Sequence, residues 1–97
     1  MARLSPASRL RLPRVVRLPF GFAVRVRVTT AAEMARACRW SLAEAQTVEG
    51  SWDWDSRTIY VRSTLPPRRK RYVLAHELQH AVTDWIGHLL GREEAKA

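Results

Sequence analysis

One cysteine, Cys38, is all that this 97-residue chain contains. No intramolecular disulfide can form. A lone thiol fits a reducing, cytoplasmic compartment, and Cys38 reads as a small core residue. No run of about 18 apolar residues exists, which argues against a membrane span. No hydrophobic leader is visible near the first residue, and no internal repeat is evident. The length suits one domain with a thin core. Apolar residues make up 46% of the chain, enough for folding rather than disorder.

Acid is missing from the first 32 residues, which carry seven arginines; the remaining 65 hold ten basic and nine acidic side chains. Lysine is nearly absent, since 15 of the 17 basic residues are arginine, a bias that base composition explains as readily as function. Residues 1–19, "MARLSPASRLRLPRVVRLP", mix Arg, Ser and Pro without a helical or strand period. The composition resembles a transit peptide and also a basic arm that touches nucleic acid. The plainer reading, a flexible solvated tail or an over-extended start, is preferred. The boundary is drawn at residue 19, with one folded domain over 20–97.

"AVRVRVT", residues 23–29, alternates strictly: Val24, Val26 and Val28 on one face, Arg25, Arg27 and Thr29 on the other. This predicts a half-buried strand. Thr30 with Glu33 forms a capping box, so a helix starts there, with Met34, Ala37, Cys38 and Leu42 as candidates for its apolar stripe. "TVEGSWDWDSRTIYVRS", residues 47–63, reads as a hairpin turning at Asp55-Ser56-Arg57. A long helix follows, with Ser63 or Thr64 as a cap and Pro66 and Pro67 in the first turn. Its apolar residues between Tyr72 and Ile86 nearly encircle it, which predicts a buried helix. Gly87 and Gly91 are candidate stops. The run Arg68-Arg69-Lys70-Arg71 opposes the helix dipole and reads as a solvated face; a phosphate contact or a salt bridge to Asp53 or Asp55 is the functional alternative.

Within that helix lies "LAHELQHAVTDW", residues 74–85. His76 and His80 are four residues apart, so both imidazoles can reach one ion. Zinc favours imidazole nitrogen in a tetrahedral shell, and this pair supplies half of one. Glu77 points about 100° around the helix from His76. It suits a general base acting on a metal-activated water, which is the physical content of the HExxH motif. Helical spacing also arises by chance. The argument for a metal is that three polar groups buried among apolar neighbours would be costly without a partner.

The third ligand is open. Asp84 lies about 12 Å of helix rise from His76; it reads as a carboxylate orienting a ligand histidine through Nδ1–H, or as a surface residue. Gly87-His88 does not fit the longer motif, which puts glycine and histidine where this chain has Thr83 and Ile86. Glu93 is the tentative third ligand and Glu94 its neighbour; either reads equally as a solvated charge.

Residues 20–94 resemble the small zincin-like proteins related to the ImmA/IrrE metallopeptidases, many of them encoded by phages and prophages. The matching features are "WDWDSRTIYVRSTLP" and "RRKRYVLAHELQHAVTDW". The resemblance implies zinc (Zn2+) on His76 and His80, Glu77 as the base, and a third ligand, often Glu, from a later helix. The expected fold is α+β, a small, mostly antiparallel sheet packed on a buried HExxH helix. The expected function is zinc-dependent hydrolysis of peptide bonds in a protein or peptide substrate. The alternative is a non-catalytic zinc module whose basic arm binds nucleic acid or an acidic partner.

Overall fold

The computed structural model describes residues 11–91. Strand β1 spans Val15–Leu18 and β2 spans Phe22–Thr29. Helices α1, Ala31–Cys38, and α2, Leu42–Gln46, follow. Then come β3, Gly50–Asp53, β4, Thr58–Arg62, and the long helix α3, Pro67–Leu89. The four strands form one sheet in the order β1-β2-β4-β3. β1 with β2 and β3 with β4 are antiparallel; β2 with β4, in the centre, is parallel. The fold is α+β with a mixed sheet.

Alternation sets the layers. Val24 and Val26 on β2 and Ile59 and Val61 on β4 form one core with Phe22 and, from α3, Val73, Leu74 and Ala81. On β4, Thr58, Ile59, Tyr60 and Val61 are all buried, so both faces of that strand are covered, one by α3 and the other by α1. Val28, expected to face inward with Val24 and Val26, is 45% exposed. It lies beyond the end of the β1 pairing.

The capping box at Thr30 and Glu33 starts α1 as expected. Arg39, at φ 59°, ends it in the left-handed region, and a second box of the same kind, Ser41 with Glu44, starts α2. Leu42 therefore belongs to α2, and the buried residues of α1 are Met34 and Ala35 rather than Ala37. Cys38 is half-buried; burial, reinforced by Asp53, pushes its thiol up, so the reactive thiolate is disfavoured. Arg62 ties α2 to the sheet: its Nη1 donates to the carbonyls of Ala45, Gln46 and Val48.

The structure corrects four expectations. The tail drawn through residue 19 is too long, because Val15–Leu18 is a strand whose partner β2 supplies the ladder and whose Val16 and Leu18 pack on the core. The long helix is not buried on all sides. One sheet covers one face of it, leaving Tyr72 60% and Ile86 44% exposed, together with His76 and His80. Its cap is Pro66, with Pro67 at the first helical position; neither Ser63 nor Thr64 caps it. Gly87 lies buried inside the helix, and the turn comes at Gly91, at φ 68°. Among the described residues no helix is long and apolar enough to cross a membrane.

Candidate functional site

Helix α3 lies over β3 and β4. Two contacts fix its distance and rotation. At Gly50 the sheet lets the helix come close: a Cβ there would run into Val73 Cγ1, and would stand 2.9 Å from the Tyr60 carbonyl oxygen and 3.5 Å from Glu77 Cγ. Glycine inside a strand often marks such a close approach. Further along, Trp52 Nε1 donates to Asp84 Oδ2 at 2.7 Å. β3 therefore holds the flank of α3 that carries Glu77 and Asp84.

On the outer side of that flank the two histidines converge. His76 Nε2 and His80 Nε2 are 3.3 Å apart. Two nitrogens each ~2.0–2.1 Å from one ion in tetrahedral geometry stand ~3.3–3.4 Å apart, so the separation matches that of two ligands on one ion. The same separation suits an N–H···N hydrogen bond between rings whose planes stand 71° apart. Both rings are exposed. The desolvation argument for a metal therefore lapses, and convergence of the nitrogens takes its place.

Glu77 stands beside them, half-buried over Gly50. It opens into a cleft of about 300 Å³ whose walls are Glu49 and Gly50 from the sheet edge and Arg69, Tyr72, His76 and Glu77 from the helix. Arg69 pairs with Glu49 through Nε at 2.9 Å and Nη2 at 2.5 Å, and its guanidinium lies 4.7 Å from the centre of the Tyr72 ring. The bond to Arg69 holds the Glu49 carboxyl below its usual range. Both partners are solvated, so the pair orders the cleft wall more than it stabilises the fold. The basic run reads from the sequence as a solvated face, with Asp53 or Asp55 as alternative partners; the acid that pairs with Arg69 is Glu49, just before β3.

Among the described residues no group of three or more His, Cys, Asp or Glu side chains comes together as a metal cage. Glu93 and Glu94 lie outside the described residues. His88 belongs elsewhere, with its ring 5.5 Å from those of both Trp85 and Trp54.

Residues 22–85, well over half of the chain, match the family described as IrrE N-terminal-like domain, a peptidase family. The chain belongs to the IrrE N-terminal-like peptidase family. No curated protein and no solved structure matches it significantly. The family match covers the sheet from β2 onward, the hairpin and α3 through Trp85. Within this IrrE-like core, Gly50, Trp52 and the Glu49–Arg69 pair are positioning residues that the motif alone does not reveal. A glycine interrupting a strand pattern was the readable signal for the first of them.

Asp84, read from the sequence as orienting a histidine or as a surface residue, accepts a hydrogen bond from Trp52 Nε1 through Oδ2. Trp52→Phe and Asp84→Ala are each expected to lower stability in urea unfolding by about 1 kcal/mol, the double variant by less than the sum. If Asp84 acted on a histidine, Asp84→Ala would weaken metal affinity where Trp52→Phe does not.

Proposed function

We propose that this chain is a zinc-dependent peptidase core in which His76 and His80 hold the ion and Glu77 is the general base. The observation that carries the reading is the 3.3 Å separation of two Nε2 atoms beside a carboxylate that opens into a cleft. Glu93, with Glu94 next to it, is the proposed third ligand, on the chemistry of a carboxylate shortly after the turn at Gly91.

When bound, the ion supplies Lewis acidity, which acidifies water and polarises a carbonyl. The chain supplies position and proton transfer. β3 is an edge strand. The Arg62 N–H donates to the Glu49 carbonyl, so by the alternation of an antiparallel ladder the backbone groups of Gly50 and Trp52 point outward. An extended peptide adds there as a further strand. Glu77, over Gly50, takes a proton from the attacking water and passes it to the leaving amine. The water oxygen ends on the new carboxyl group and its proton on the amine nitrogen, so hydrolysis balances.

The second reading, a non-catalytic zinc module, rests on the same two histidines and differs in giving Glu77 no part in turnover. Metal analysis tests the part common to both. The purified protein is expected to hold about one zinc, and His76→Ala or His80→Ala to hold none. Both rings are exposed, so neither change disturbs the metal-free fold. Zinc at a hundredfold excess over its dissociation constant adds ~2.7 kcal/mol, which raises the melting temperature by roughly 10–20 °C in a domain of this size. Neither variant shows that rise. Full zinc occupancy in both would show the ligand assignment to be wrong.

A further inference from the structure

We propose that an arginine-lined groove at the β1–β2 side of the sheet binds the phosphodiester backbone of nucleic acid without reading its sequence. The groove, about 450 Å³, runs between residues 11–15 and the second half of β2, and four arginines line it: Arg11, Arg14, Arg25 and Arg27. It exists because β1 is four residues long and β2 is eight. Pairing from the β1 side ends where the Val26 N–H meets the Arg14 carbonyl, and the chain then leaves β2. Arg17 extends the row. The register Val15↔Arg25 and Arg17↔Ala23 puts its side chain on the same face as Arg25 and diagonal to it.

All five arginines are exposed, and the ion pair among the described residues, Arg69 with Glu49, involves none of them. Glu33, the acid that feels the charge of Arg27, is already engaged by the Thr30 backbone N–H at 2.9 Å. Side chains two apart on one strand stand ~6.7 Å from each other. The result is a short row of planar cations, Arg17, Arg25 and Arg27, flanked in the groove by Arg11 and Arg14. Guanidinium groups match phosphate oxygens in pairs, and a regular row of them fits a polymer that carries regular anions. A membrane surface fits less well. The apolar neighbours, Leu12, Val15 and Val28, are short side chains on or beside strands, whereas surface-bound segments present an amphipathic helix with large apolar residues. Of the aromatic residues, Tyr60 lies beneath Arg27, its ring centre 6.0 Å from the guanidinium carbon, but it is buried. No aromatic side chain lines the groove; the exposed Phe20 lies in the β1–β2 turn, beyond Arg17, so the groove's own arginines recognise the backbone alone. The groove lies at the sheet edge opposite the one that carries Glu77, so the inference does not depend on the peptidase reading.

The test uses the full chain and fluorescein-labelled single-stranded and duplex oligonucleotides of mixed sequence, followed by fluorescence anisotropy across a salt series. Binding is expected to be indifferent to base sequence. For the single strand, log K is expected to fall against log salt with a slope of about −3, from four phosphate contacts at ~0.7 each. Arg25→Glu/Arg27→Glu is expected to weaken binding at least tenfold and to flatten the slope by about 1–2 units. Arg68→Glu/Lys70→Glu, which removes the same charge from the first turn of α3, is expected to change binding less than threefold. Arg25→Gln/Arg27→Gln serves if the reversal unfolds the chain, and it too must lose several-fold affinity. Equal losses from both surfaces would reduce the effect to overall charge and overturn the groove. So would absence of binding to either oligonucleotide at low salt, or tighter binding to phosphatidylserine vesicles.

Discussion

Glu77→Gln is expected to keep zinc and fold normally, and to lower hydrolysis of any peptide the wild type cuts by roughly 10²–10⁴-fold, the usual contribution of a general base. Gln has the size of Glu and can hydrogen-bond, but it cannot accept the proton. The fold is expected to tolerate the change because Gln keeps the Cγ that lies near Gly50. Zinc content by metal analysis and turnover on a peptide library are the two readouts. Loss of zinc would make Glu77 a ligand. Unchanged turnover would give the base role to another group, Glu93 or Glu94 first. A wild type that holds zinc and cuts nothing in a broad library would favour the non-catalytic module.

Gly50→Ala is expected to cost about 2–3 kcal/mol, the usual penalty for overpacking. That lowers the melting temperature by roughly 10–20 °C. The new methyl meets Val73 on one side and the Tyr60 carbonyl oxygen, 2.9 Å away, on the other. The carbonyl belongs to β4 and cannot yield, so the helix must move outward. Val73→Ala removes the first obstacle and leaves the second. The double variant is therefore expected to be less damaged than the two single losses added together. Its recovery is partial. A melting temperature unchanged by Gly50→Ala alone would mean that α3 does not rest on β3 at this point. The displaced helix also carries Glu77 away from the edge strand, so turnover is expected to fall further than folded content.

Much of the site was legible because it is local. His76, Glu77 and His80 share one helix, and spacing alone brings the two imidazoles together. The hairpin turn was legible in the same way: Asp53 accepts hydrogen bonds from the Ser56 backbone and hydroxyl, and Arg57 sits at φ 53°. The capping box at Thr30 was read, while the equal signature at Ser41 and Glu44 was hidden by treating residues 33–42 as one stripe. What failed was tertiary. Val15–Leu18 has no clear period of its own and becomes a strand because β2 offers it a ladder. Apolar residues around α3 suggested burial on every side, but composition does not count the layers available. One sheet covers one face, and Tyr72 and Ile86 are left outside. The same shortage of layers exposes the histidines, so burial supplies no energetic reason for a metal, and what remains is the helical spacing that brings the two rings together.

The parallel pairing of β2 with β4 has a kinetic side. β2 ends at Thr29 and β4 begins at Thr58, so their ladder closes a loop of two helices and a strand before any contact between them forms. Such non-local pairing slows folding, because the entropy of closure precedes the gain. β3, β4 and α3 are consecutive in the chain, by contrast, and together they hold the cleft. The cleft is thus assembled from shorter-range encounters, and the slow entropic step falls on the docking of β2, which carries Arg25 and Arg27 of the groove.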